Sequence, residues 1–388
     1  MKKIFIILFL MLSSLLKGQD FTFSQFDLNM MYLNPALTGI EQDSRLLTNF
    51  RNQWNGLNEN FNTNYIEFSF SLSNLTKRRL SGGELSATGG VFLIEDRTNT
   101  VFKSHNIGIV PIAIHSKLSR NIYLSTGISN TIRINSIDWN NLVFTDQLND
   151  FNNNINISNA QLPYYLSQKT WIDPSIGLIL TRHSNHNRKY SNTSFIGLSW
   201  HHFVNPIKSF YNNQSNNSTI PQKLILHAEH NGSITPSSKH PFKFWKLIYK
   251  HNKQGNNATQ KDDIGMSVIL EKGLQLEIGC FYRVARENEN KSIKLMNESI
   301  TPLIRIRMQI GRSTGLELSY SYDYTVSKLK NINTFSTNEI SLNIYHHKRI
   351  RNTICPFQGD NKINRKWDDI MLNKNGYQTK NRKRRAIW

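Results

Sequence analysis

"TGLELSYSYDYT", Thr314 to Thr325, alternates strictly. Leu316, Leu318, Tyr320, Tyr322 and Tyr324 take the even positions, while Glu317, Ser319, Ser321 and Asp323 take the odd ones between them. Successive side chains of an extended chain point to opposite faces, so this stretch reads as a strand with one apolar and one polar face. "LIRIRMQI" repeats the pattern, with Ile304, Ile306, Met308 and Ile310 set against Arg305, Arg307 and Gln309. So does "NIYLSTGISNTIRIN", where Ile122, Leu124, Thr126, Ile128, Ile132 and Ile134 share a face. Alternation over nine or more residues exceeds the usual strand of a soluble sheet and matches the length that crosses a bilayer at a tilt.

The same reading places strands near 43–54, 61–73, 86–96, 104–116, 121–135, 171–181, 193–203 and 222–234. Six more follow near 241–250, 262–271, 273–285, 299–311, 314–325 and 337–347. Fourteen is even, as a single-chain bacterial outer-membrane barrel requires. The expected fold is therefore all-β, a transmembrane antiparallel barrel. Short connections at 117–120, 235–240, 272–273 and 312–313 are even-numbered, and the Asn- and Ser-rich stretches 136–170 and 204–221 are odd-numbered. Tight periplasmic turns and longer extracellular loops give such an asymmetry when the N-terminus is periplasmic.

Composition agrees. Hydrophobic residues make up only 38% of the 388 residues, too few for a helical membrane protein but not for a barrel that hides its apolar residues in alternation. Lys2-Lys3, the apolar run Ile4 to Leu12 and the exit Ser13 to Gly18 have the layout of a secretory signal peptide, residues 1–18. Residues 19–42 then form an N-terminal periplasmic or plug segment, 43–347 the barrel and 348–388 a basic C-terminal periplasmic tail. That tail carries twelve Lys or Arg against three Asp, within a chain of net charge +20. In an exported chain it suits anionic envelope material or an acidic protein, and no nucleic-acid partner is expected. Two cysteines, Cys280 and Cys355, are too few for a disulfide framework.

No chemistry of bond making is legible. No GxSxG, P-loop, Rossmann, HExxH or CxxC pattern occurs, and "LSGGELSATGG" sits between strands as a hairpin connection. The pairs His201-His202 and His346-His347, like His183 and His186, read as interfacial or loop residues, because neighbours in a strand face opposite ways. No metal, cofactor or enzymatic activity is expected. Trp54, Phe68, Tyr123, Trp171, Trp200 and Tyr324 read as interface girdles. Glu277, Glu317 and Asp323 oppose Arg283, Arg305 and Arg307 on polar faces, as lumenal ion pairs would.

Ahead of the first strand, "MYLNPALTG" (Met31 to Gly39) combines the turn signal Asn34-Pro35 and the breaker Gly39 with Met30, Met31, Tyr32, Leu33 and Leu37. Left free, these would expose a contiguous apolar patch. A plug is expected instead, with Tyr32, Asn34, Pro35 and Gly39 forming a turn in or just beneath the barrel.

"FSQFDLNMMYLNPALTG", "FRNQW", "YLSTGISNTIRINSIDWNNLVFTDQL", "SWHHFVNP" and "ELSYSYDYTVSKL" with "NEISLNIY" together resemble the PorP/SprF family, outer-membrane proteins of the type IX secretion system of Bacteroidetes. The resemblance runs in order along nearly the whole chain after residue 18. It implies a fourteen-stranded barrel distantly related to fatty-acid transporter barrels, located in the outer membrane and non-enzymatic. It also implies support for secretion, surface display or anchoring of a large adhesin-like protein with a C-terminal export domain, as in gliding motility. Its partners would be that secreted protein, other secretion-system envelope proteins and outer-membrane lipid. The alternative is a channel for a hydrophobic or small polar solute. The long Asn-rich loops and the tail beyond Cys355 to Phe357 depart from the family pattern. Placed on the expected topology, the family fragments converge on one mouth. Arg51, Asn52, Gln53, Trp54, Asp96, Arg97, Asp146, Gln147, Asn205 and Asp323 thus form a candidate partner-binding rim. The competing account is that these are turn residues held by local hydrogen bonds.

Overall fold

In the computed structural model the described residues are 20–40, 44–54, 60–72, 85–98, 101–119, 121–142, 167–186, 190–208, 210, 219–234, 242–255, 260–272, 274–289, 292–310, 313–327 and 336–346. Fourteen antiparallel strands close into a ring in which each pairs with its sequence neighbours and β1 pairs with β14. They are β1 (Ser44–Gln53), β2 (Phe61–Ser71), β3 (Leu85–Thr98), β4 (Phe102–Ser119), β5 (Ile122–Ile137), β6 (Gln168–His186) and β7 (Tyr190–His201). After these come β8 (Lys223–Ser233), β9 (Phe242–Gln254), β10 (Gln260–Lys272), β11 (Leu274–Glu289), β12 (Ser292–Gln309), β13 (Thr314–Thr325) and β14 (Thr337–His346). Every strand expected from alternation is present. Closure leaves no sheet edge with unpaired backbone groups, the condition for placing strands in hydrocarbon.

The burial pattern is inverted relative to a soluble sheet. Along β13, Glu317, Ser319, Ser321 and Asp323 are buried while Leu318, Tyr320 and Tyr324 are exposed. The outer surface is a band of exposed apolar side chains, among them Phe50, Ile66, Leu178, Trp200, Met266 and Ile304. Polar side chains therefore line the interior, and the outward band is the lipid-facing surface. Cys280 lies on that outer face.

The ends of the barrel are named here by their connections: the odd end carries the links β1–β2, β3–β4 and so on, and the even end the others. The two longest connections, 138–167 and 202–222, are at the odd end. The asymmetry is less complete than the sequence suggests, because only three residues separate β3 from β4 and only two separate β11 from β12, both at the odd end. There β3, β4, β11 and β12 continue past the expected ends as long hairpins. Likewise β6 extends to His186 and leaves 187–189 as a short even connection.

Residues 20–40 occupy the lumen. They form a helical turn α1 (Met30–Leu33) and a 3-10 turn Pro35–Leu37, joined at Asn34. Asn34 accepts a side-chain bond from the Ala36 amide and Pro35 takes the first position of the turn, so the local code is that of a short capped helix. Apolar residues of the segment build two clusters with inward residues of the wall. Phe26, Leu33, Ala36, Leu37 and Ile40 pack with Ile179, Ile225 and Phe281, while Phe23, Leu28 and Met31 pack with Leu47, Tyr65 and Phe92. Each Leu, Ile, Phe or Met among them contributes on the order of 1.5–3 kcal/mol through burial. The hydrophobic core of this protein is thus its plug.

Candidate functional site

The site is the contact between residues 20–40 and the lumen wall. On one side the contacts are charged. Asp27 accepts from Nη1 and Nη2 of Arg305, each at 2.6 Å, and from the Lys246 ammonium at 3.0 Å. Burial alone would raise the Asp27 carboxyl, but Arg305 and Lys246 outweigh it and hold it far below the usual carboxylate range. Glu339 on β14 accepts the backbone N–H groups of Ser24 and Gln25 at 2.7 and 3.1 Å, and Ser24 Oγ donates to Asp323 at 2.5 Å. Arg45 bridges Glu67 and the Leu28 carbonyl at 2.6 and 2.7 Å, and Glu67 also accepts from the Met31 amide.

On the other side the contacts are small groups and backbone. Ser199 Oγ donates to the Leu33 carbonyl at 2.8 Å, and Thr88 Oγ1 to the Thr38 carbonyl at 2.6 Å. The Asn34 amide donates to the Leu178 and Leu198 carbonyls at 3.3 and 3.2 Å and meets His227 at 3.0 Å. Asn34-Pro35 comes so close to the wall that a Cβ on Gly127 would lie 2.5 Å from the Pro35 carbonyl oxygen. Gly39 turns with φ +63° against Thr88, a conformation that glycine adopts without strain. Tyr32 accepts from the Lys223 ammonium of β8 at 3.3 Å and faces Phe92 of β3 edge-on, so all four plug residues singled out from sequence are in lumen contacts.

The segment does not stay at the even end. Asp20 lies near the odd-end strand termini, where its carboxylate meets His202 at 2.7 Å and Arg133 and Lys223 each at 3.5 Å. His202 also reaches Asp173 at 2.6 Å, and Arg133 reaches it at 2.8 Å. Burial pushes the Asp20 carboxyl up, but His202, Arg133 and Lys223 together hold it well below its ordinary value. For His202 burial pushes down, and Asp20 with Asp173 outweighs it and raises the imidazole.

This corrects the reading of the histidines. His201 and His202 are both buried, although alternation would send one outward. The strand ends at His201, and His202 adopts φ 57°, which turns its ring back into the lumen. His183 is also buried, bonding Thr193 at 3.0 Å. His346 contacts Thr314, and His347 lies outside the described residues. Among the described residues no three His, Cys, Asp or Glu side chains are grouped as metal ligands would be.

The rim residues do not share one surface. Arg51 and Asp323 come together inside the lumen, 4.0 Å apart, with Arg51 3.7 Å from Glu339. Asp96 also faces inward and accepts from Thr63 at 2.6 Å. Asn52 and Gln53 are half-buried, Gln53 accepting from Arg51 at 2.6 Å. Trp54 and Asn205 have φ of 62° and 46° and close strand-ending turns, Trp54 packing edge-on against Phe61. Arg97 is exposed and pairs with Glu95 on its own strand. Asp146 and Gln147 lie outside the described residues. The lumenal ladder expected in the late strands is present: Arg307 contacts Glu317 at 2.5 Å and Glu277 at 3.1 Å, and Arg283 lies 3.7 Å from Asp323. Sequence reasoning missed Asp20, Asp27, Arg45, Glu67 and Asp173. The one signal pointing to the first two was their place in the quoted family fragment and just before it.

Among solved structures the chain is similar to the toluene transporter TbuX of Ralstonia pickettii, with 8% identity and TM-score 0.45 over 82% of this chain and 92% of that one. It is similar to the CymD monoaromatic hydrocarbon channel with 10% identity and TM-score 0.44, over 82% and 93%. For a Pseudomonas aeruginosa FadL homologue the figures are 9% and 0.43, over 83% and 93%. No curated protein matches the sequence. The family described as "Type IX secretion system membrane protein PorP/SprF" matches residues 15–344. A closed fourteen-stranded barrel with an apolar belt, matched along most of its length by that family, is an outer-membrane protein, and the chain belongs to the PorP/SprF family.

Proposed function

We propose that this barrel is a holding component of the type IX secretion system. It supports secretion, surface display or anchoring of a large adhesin-like protein that carries a C-terminal export domain. The observation that carries this reading is the filled lumen. Residues 20–40 contact the wall from the Asp20 cluster near the odd end to Gly39 near the even end, which suits an anchor better than a conduit. In this reading residues 1–18 are a signal peptide and the odd end faces outward. The basic tail 348–388 then meets other envelope proteins of the system.

The docking surface is the odd-end rim. Arg97, on the long β3–β4 hairpin, and the Asn205 turn present themselves to solvent there. Arg51 and Asp323 act from beneath, tying the rim strands to Ser24. Alanine at Arg97 and Asp146 together, with barrel assembly verified by heat-modifiable migration, should reduce adhesin display. Undiminished display would overturn the docking assignment. Steady conductance of the intact wild-type barrel in planar bilayers would instead favour a solute channel.

A further inference from the structure

The outer wall of β9–β11 breaks the apolar belt near the odd end. Alternation turns Met266 and Ile264 of β10 outward, and the next outward position toward the odd end is Asp262. Its side chain is nonetheless only 5% exposed, because outward side chains of the two neighbouring strands close over it. The Tyr249 hydroxyl and His251 Nδ1 each donate to Oδ1 at 2.8 Å, and Arg286 Nε donates to Oδ2. The register brings them together: Asp262 lies opposite His251, and Ile264 lies between Tyr249 and Tyr282.

An acid covered in this way orients its partners without showing its own charge. The bond through Nε fixes the plane of the Arg286 guanidinium and leaves both terminal nitrogens without a partner among the described residues. The bond through Nδ1 likewise points His251 Nε2 away from Asp262. Lys253, the next outward residue of β9, is exposed and has no ion pair among the described residues. The β3–β4 hairpin gives the contrast. There Glu95 holds Arg97 and His105, but its side chain is 25% exposed and repels an approaching anion.

Height in the bilayer points to the guest. Tyr249 and Tyr282 flank Ile264 just inside the cluster, and amphipathic rings of this kind sit where hydrocarbon meets headgroups. Past them, Ile264, Met266 and Leu247 form an exposed apolar track. A free phosphate ion uses only the donors, whereas a lipid uses the donors and the track. We infer that this face binds the phosphate of an anionic membrane lipid on Arg286, Lys253 and His251, with an acyl chain along Ile264, Met266 and Leu247. Charge-assisted hydrogen bonds hold the phosphate. The inference concerns the membrane-facing surface and does not rest on the partner-holding role.

The test is native mass spectrometry of the full chain released from nanodiscs of equimolar, chain-matched phosphatidylglycerol and phosphatidylcholine. Phosphatidylglycerol should be enriched about fivefold in the last lipid retained, the attraction of one net surface cation. Lys253→Gln and Arg286→Gln should each bring the ratio close to parity. Lys103→Gln, at an exposed lysine on the outer face of β4, should leave it unchanged. Heat-modifiable migration identifies any variant that fails to fold. Soluble glycerol 3-phosphate, added to the barrel in phosphatidylcholine nanodiscs, should not stay bound. A wild-type barrel without preference overturns the inference, as does a preference that survives in whichever of Lys253→Gln and Arg286→Gln folds. An equal loss in Lys103→Gln would mean general surface charge, and retained glycerol 3-phosphate a site for free phosphate; either overturns it.

Discussion

The two sides of the lumen hold the same segment by different physics. The wall of β9 and β11–β14 with β1 and β2 grips residues 24–31 through ionised groups: Lys246, Arg305, Glu339, Arg45 and Glu67. The wall of β3–β7 grips residues 33–39 through Thr88, Gly127, Gly177, Ser199 and barrel carbonyls. Charge acts over several ångströms and tolerates small displacement. Close packing against backbone tolerates almost none. The first side therefore secures the plug energetically, while the second fixes where it sits.

Breaking the charged side should have the largest effect. Arg305→Ala leaves Asp27 buried with Lys246 alone, a loss on the order of 3–5 kcal/mol. Residues 20–40 should become cleavable by protease in the assembled barrel, and conductance should rise. Next comes Gly127→Val, whose new methyl groups meet the Pro35 carbonyl. Overpacking of about 1–3 kcal/mol should displace the Asn34-Pro35 turn, lowering the urea midpoint while the charged contacts persist. Asn34→Ala removes the cap on Ala36 and the bonds to Leu178 and Leu198, costing about 1–2 kcal/mol in the same assay.

The pH response is the smallest. Asp20 and Asp27 have carboxyls held below the ordinary 3.8, so their contribution is complete above that value and is lost as pH falls through the lower folded ones. The His202 imidazole is raised above 6.5, so its attraction to Asp20 and Asp173 is complete below 6.5 and fades as pH climbs through the folded value. Arg133, Lys223 and Tyr32 also face this cluster. Protease access to the Asp20 end should be lowest between about pH 4 and 6.5 and increase modestly above. His202→Gln should flatten the alkaline limb; an unchanged limb would assign it elsewhere.

Alternation made the wall readable: Leu318, Tyr320 and Tyr324 against Glu317, Ser319 and Asp323 is enough to orient β13. Met31 to Gly39 declared a buried turn because so many apolar residues surround Asn34-Pro35. The Asp27–Arg305 pair was not readable: alternation puts Arg305 on the lumenal face, but Asp27 is distant in sequence and has no local pattern that singles it out as the partner. His202 escaped because a positive φ at a strand end overrides the parity rule on which the orientation of His201-His202 depended. The hairpins at 85–119 and 274–309 run longer than alternation indicates, because the pattern weakens toward their tips.

The path of residues 20–40 bears on how the barrel is made. The segment enters β1 at Ser44, near the even end, and β1 completes the ring by pairing with β14, the last strand among the described residues. Whatever lies inside is thus covalently attached to one strand of the seam that joins the two ends of the sheet. The segment can serve as a mandrel, with Arg45, Glu67, Arg305 and Glu339 collected on it from strands far apart in sequence as the sheet curls around. Strand insertion and plug seating then become one assembly event, and a defect in the plug becomes a defect in the seam.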